Sequence, residues 1–328
     1  MRRVSISLSL ILLACLLSAT KIQAKDRAIG KTLSHYILGG IYERLDDLDE
    51  AVGHYKAAVK ADPNSPQLHL NLAVALIKQN NLKKAIFELK RAIKLDSSAG
   101  LEQSESISIE AHTVLALIYS LQGKLDQAAH EYELALEGAL AVYPQNIRIH
   151  KSLGQVYLQQ NRLSDAEKTY RFILDVAPSD FEAHFYLGNI YELQGRRPEA
   201  IDEFKAALEF NSDYPDALNS LAYVYADESI NLEDAEQMIK KALSYEPNNG
   251  AYIDSLGWVY FRQGKYQEAI QKLEEAVQFL SDPLIYEHLG DAYLKGNNLI
   301  KAKENWQRSL DIDSETNPQV KEKLEKYK

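Results

Sequence analysis

The sequence is 328 residues long, carries a formal net charge of −10 at pH 7 and is 46% apolar. That apolar content suffices for a continuous core, while the acidic balance argues against nucleic acid, whose phosphates need a basic face, and for basic or neutral partners. The single cysteine, Cys15, excludes a disulfide within the chain and leaves the redox compartment open.

Residues 1–24 read as an export signal rather than as part of the fold. Met1-Arg2-Arg3 is basic, Val4 to Leu17 is an uncharged apolar run, Ala19 and Ala24 offer small residues for cleavage, and Lys21, Lys25 and Asp26 end the hydrophobicity. The run is short for a spanning helix. Within it, Leu12-Leu13-Ala14-Cys15 resembles a bacterial lipobox, in which the cysteine is lipidated and becomes the new N-terminus. The plainer reading makes Cys15 one more small apolar residue in a signal cleaved near Ala19 or Ala24, and Leu16-Leu17 beyond it suits that reading. An uncleaved anchor is a third option. All three place the protein outside the cytoplasm, in the periplasm or attached to the outer membrane, and residues 25–31 form a spacer.

From residue 32 the chain repeats. Ala51, Ala85, Ala128, Ala166, Ala200, Ala235, Ala269 and Ala302 stand at successive spacings of 34, 43, 38, 34, 35, 34 and 33. Four residues after each comes Tyr55, Leu89, Tyr132, Tyr170, Phe204, Ile239, Leu273 or Trp306. Ahead of each lies a pair: Leu38-Gly39, Leu72-Ala73, Leu115-Ala116, Leu153-Gly154, Leu187-Gly188, Leu221-Ala222, Leu256-Gly257 and Leu289-Gly290. Tyr follows these pairs three residues later in all but one, where Leu76 stands. Large residues at helical spacing, small residues between them and a turn residue in the middle predict two amphipathic helices per repeat. The small residues let two helices approach closely, and one such hairpin cannot bury its apolar face alone.

This spacing resembles the tetratricopeptide repeat (TPR). The resemblance implies an all-α fold, a right-handed α-solenoid of about eight helix-turn-helix repeats over 32–65, 66–99, 109–142, 147–180, 181–214, 215–249, 250–282 and 283–316. Pro63, Pro178 and Pro247 stop second helices, and Asn80-Asn81, Gly123, Asn161, Gly195, Gly264 and Gly296 supply the turns within hairpins. Nine extra residues within 97–106 read as a polar surface loop, and Glu137 to Tyr143 reads as a second helix lengthened by about one turn. Residues 317–328 read as a charged capping helix.

In this family the first helices line a concave, ligand-binding face. The resemblance carries that role to Lys151, Gln155 and Gln159; to Phe185, Asn189 and Glu192; to Asn219, Tyr223 and Asp227; and to Asp254, Trp258, Phe261 and Arg262. Amides can pair with a peptide backbone, and exposed aromatics are enriched in hot spots. The same aromatics can equally pack between neighbouring first helices, and both readings stay open. The corresponding early residues are plainer: Leu70, Val74, Ile77, Thr113 and Leu117, an apolar trough or a covered surface. With only Lys151 and Arg262 as basic company for Asn189 and Asn219, a chaperone-tail carboxylate clamp is not expected.

His35, His69, His112, His150 and His184 occupy the fourth position of the first five repeats. Equivalent side chains in successive repeats lie about 10 Å apart, whereas zinc holds its ligands at about 2 Å. The ladder therefore reads as structural, and no metal or cofactor is expected. The chain has no phosphate loop, nucleophile elbow or His-Glu-x-x-His motif, so no catalysis is expected. The resemblance extends to exported bacterial TPR proteins, specifically periplasmic protease-adaptor and pilotin-type lipoproteins, with 249–258 carrying the first of these. It implies a non-enzymatic adaptor or scaffold that binds a protein or peptide segment in the concave groove. The alternatives are a non-catalytic, substrate-selecting subunit of an envelope protease or transferase complex, and a structural spacer in an outer-membrane assembly.

Overall fold

A computed structural model describes residues 29–96, 105–313 and 318–327. The export signal, Cys15 and residues 97–104 of the insertion lie outside the described residues. Among these residues there is no strand, and no helix is long and apolar enough to cross a membrane. The chain forms two compact units, dividing between Gln160 and Asn161.

The first unit holds α1 (29–44), α2 (Leu48–Ala61), α3 (Pro66–Lys78), α4 (Leu82–Asp96), α5 (Glu105–Leu121), α6 (Leu125–Val142) and α7 (Ile147–Gln159). The second holds α8 (Leu163–Val176), α9 (Phe181–Leu193), α10 (Arg197–Phe210), α11 (Pro215–Glu228), α12 (Leu232–Tyr245), α13 (Gly250–Arg262), α14 (Tyr266–Phe279), α15 (Pro283–Lys295), α16 (Leu299–Ile312) and α17 (Pro318–Lys326). Within each unit, consecutive helices pack as hairpins.

The hairpin turns follow from backbone chemistry. Gly123, Gly195 and Gly264 have positive φ, and Asp46, Asn80, Asn161 and Asn297 take the same left-handed conformation, which Asn and Asp tolerate best after Gly. In the last hairpin Asn297, not the expected Gly296, makes the turn. The links between hairpins end in caps two residues after a proline: Ser65, Asn146, Asp180 and Asn249 each accept a backbone N–H of the following helix. α5 begins at Glu105, one turn earlier than the spacing implied, and the buried Asp96 accepts the Ser108 N–H at 3.0 Å. α6 has 18 residues where α8, α10, α12 and α14 have 14, one extra turn.

Each hairpin closes by matching a small residue on the first helix to a large one on the second. A Cβ on Gly188 would stand 2.6 Å from the Phe204 ring, and one on Gly257 would stand 2.7 Å from Leu273. Gly39 and Gly290 meet Tyr55 and Trp306 in the same way. Where the first helix carries Ala73 or Ala222, the second carries the slimmer aliphatic Leu89 or Ile239, and both are fully buried. The hairpin α5–α6 breaks this match, because Ala116 stands opposite an aromatic, Tyr132. At the C-terminal end Val320 of α17 is fully buried, Tyr327 stacks on Trp306, and Lys323 pairs with Glu287 and Asp291 at 2.7 Å each.

Candidate functional site

The mismatch between Ala116 and Tyr132 opens a cleft. A Gly at 116 would admit an aromatic ring against the helix backbone; the Ala methyl stands in that space, and Tyr132 is 39% exposed, where Leu89, Phe204, Ile239, Leu273 and Trp306 are fully buried. Ala128 is correspondingly half-buried, while Ala85, Ala200, Ala235, Ala269 and Ala302 are fully buried. The result is a cleft of about 780 Å³ between α5, α6 and α7, lined by Thr113, Val114, Ala116, Leu117, Ser120, Leu125, Asp126, Ala128, Ala129, Tyr132, Val156, Gln159 and Gln160. Its volume lies in the range of ligand-binding clefts, and Asp126 is its only charged wall residue. Leu117 and Leu125 in its lining are each at least 60% exposed. Of the apolar residues singled out from the sequence, Thr113 and Leu117 line this cleft, whereas Leu70 is buried in the core and Val74 and Ile77 are half-buried.

The groove residues named from the family resemblance are distributed over both units. In the first unit Gln155 and Gln159 are exposed and Lys151 is half-buried; only Gln159 reaches the cleft. In the second unit Phe185 is buried and packs edge-on to Tyr214 at 5.0 Å. Asn189, Asn219, Tyr223, Phe261 and Arg262 are half-buried. Asp254 and Trp258 are buried in a cluster where α13 packs between α11 and α15. His288 of α15 lies 3.0 Å from the Asp254 carboxylate and stacks on Trp258, with ring centroids 4.1 Å apart. Phe261 covers the same indole at 4.8 Å. Arg262 sits 5.5 Å from the Trp258 ring and donates to the Asp227 carbonyl and the Ser229 hydroxyl. Burial opposes charge on His288, but the Asp254 carboxylate, with Glu287 and Asp291 behind it, outweighs burial and raises its pKa. Phe185, Asp254 and Trp258 are thus taken up by packing and offer no open platform, and His288, absent from the sequence-derived set, holds the cluster together. The signal for it was its 34-residue offset from Asp254, one repeat length, which puts the two on adjacent first helices.

The histidine ladder is built into single hairpins. Nδ1 of His69, His112 and His184 lies 2.6, 2.7 and 2.6 Å from Glu88, Glu131 and Glu203 of the following helix. Nε2 of His69, His150 and His184 reaches the carbonyls of Pro63, Pro144 and Pro178 in the preceding turn. His35 meets His54 at 3.0 Å. These rings tie a first helix to the second helix of its repeat, to the turn before it, or to both, and among the described residues no cluster could hold a metal ion.

Tetratricopeptide-repeat family models match residues 44–99, 108–179, 151–215 and 251–282. A TPR repeat-containing protein of Pseudomonas aeruginosa is 24% identical over 258 residues, 79% of this chain and 36% of that protein. The type IV pilus assembly protein PilF of Pseudomonas aeruginosa is 30% identical over 135 residues, 40% of this chain and 53% of its own. The chain therefore spans between about a third and about half the length of these relatives. A tetratricopeptide repeat protein from Parabacteroides merdae has a similar fold, with a TM-score of 0.58 at 20% identity, covering 80% of this chain and 98% of that one.

Proposed function

The chain belongs to the tetratricopeptide-repeat family, and on that premise we propose that it is a non-enzymatic scaffold of the bacterial cell envelope, holding an apolar segment of a protein partner in the α5–α6–α7 cleft. One observation carries this reading: the third hairpin leaves open, at Tyr132 and Ala128, a seam that α3–α4 in the same unit seals with Leu89 and Ala85. A cleft formed before binding spends little ordering entropy on the partner. Walls of Leu117, Leu125, Tyr132 and Val156 with a single acid, Asp126, suit apolar anchors flanked by neutral or basic residues. The envelope setting rests on the export signal read at 1–24 and on a relative named for pilus assembly. Tethering through a lipid on Cys15 belongs to the same proposal.

The test is site-specific photo-crosslinking in cells that express the full chain. A crosslinker at Leu117 is expected to capture a protein through an apolar stretch, and one at the exposed Asp202 is not. Equal adducts at both positions, or none at Leu117, would remove the cleft from consideration.

A further inference from the structure

Helix α1 carries a row of apolar side chains that the described residues of its unit leave largely exposed. Ile29, Leu33, Ile37 and Ile41 stand four residues apart, Leu45 extends the row into the turn, and Tyr36 flanks it. These six are 38–70% exposed. The opposite side of the helix is committed to α2, with Gly39 against Tyr55 and His35 against His54. Two shallow grooves of about 490 Å³ each meet at Tyr36, one along the N-terminal half of the row towards Leu68 and the other along its C-terminal half towards Tyr55 and Lys78. The outer face of a terminal repeat is ordinarily polar, because nothing stacks on it. This one is apolar, and its exposed portions amount to about three whole large side chains, on the order of 600 Å².

The composition of the chain's own connector is a poor match for an apolar cover. Between the apolar signal and α1, residues 18–28 (SATKIQAKDRA) contain one large apolar residue, Ile22, against the four charges of Lys21, Lys25, Asp26 and Arg27. A second copy can supply one. The row is symmetric about Ile37, so a two-fold axis there sets Ile37 against its own equivalent and exchanges Leu33 with Ile41. Residues repeating every four form the ridge that fits between the ridges of a like helix. Two such faces bury on the order of 1,200 Å² in total, the lower bound for a stable interface. We propose that α1 is the self-complementary interface of a two-fold dimer of this chain.

The experiment uses the full chain in cells. Ile37→Cys is treated with a short membrane-permeant bis-maleimide, and a product of twice the chain mass is expected, joining position 37 of one copy to position 37 of another. Lys56→Cys, exposed on α2, is the control for background, including any through Cys15, and gives no comparable product. Adding Leu33→Glu, or separately Ile41→Glu, puts a carboxylate into the apolar contact and is expected to reduce the product about tenfold or more. Both positions are at least 45% exposed, so the variants keep their helical circular dichroism. Three results overturn the proposal: a product joined to another protein or to the chain's own N-terminal segment, no dimer product although a monofunctional maleimide labels position 37, or a position 37 shielded from both reagents by lipid.

Discussion

Asp254 and His288 form a buried ion pair between adjacent first helices, carboxylate to Nδ1 at 3.0 Å, each no more than 7% exposed at the side chain. Removing one partner of such a pair leaves the other charge unpaired and costs about 3–5 kcal/mol. His288→Gln is therefore expected to destabilise the second unit by that order, and Asp254→Asn in the same chain to recover much of the loss. Trp258 and Trp306, the only tryptophans, both lie in the second unit, so their fluorescence in a urea titration reports it selectively.

The same pair makes stability depend on pH. The folded-state pKa of His288 is raised, so its contribution is complete below the unfolded value of about 6.5 and is lost as pH rises through the folded value. The tryptophan-monitored melting temperature of the wild type should fall as the pH rises above about 6.5, and His288→Gln should flatten that slope. An unchanged slope in the variant would remove His288 as its source.

Gly188 and Phe204 test the small-to-large matching. Ala at 188 gains about 1 kcal/mol of helix propensity but forces the Phe204 ring aside, at about 1–3 kcal/mol. Gly188→Ala is expected to be destabilising alone and stabilising in a Phe204→Leu background. A double-mutant cycle by urea denaturation checks the reversal of sign.

Ala116→Gly is the converse experiment in the cleft. Gly costs about 1 kcal/mol in the helix interior, but it clears the space for the Tyr132 ring, and burying the 39% still exposed returns about 1–2 kcal/mol. The cleft is expected to close, so photo-crosslinking from Leu117 should fall while the chain stays folded. Crosslinking at the wild-type level would mean that Tyr132 does not gate the site.

Mass spectrometry of the mature N-terminus decides the tether. A diacyl or triacyl mass on Cys15 is the expected result. A chain starting near Lys25 would make the protein an untethered exported one.

Local chemistry alone determined the helix pairs. Leu-Gly and Leu-Ala pairs, the alanines at near-constant spacing and the left-handed Asn and Gly turns act over a few residues, so their consequences can be read without the fold. The extra turn of α6 was visible for the same reason, as four surplus residues. Which side chains stay open was decided only by tertiary packing. Trp258 fits a groove aromatic by position, yet it lies between His288, one repeat away, and Phe261, on its own helix. Tyr132 occupies a core position in the repeat, yet, facing Ala116 in the repeat register where other aromatics face Gly, it stays 39% exposed. Burial depends on how the residue across the interface fills space, and a repeat register specifies position but not fit.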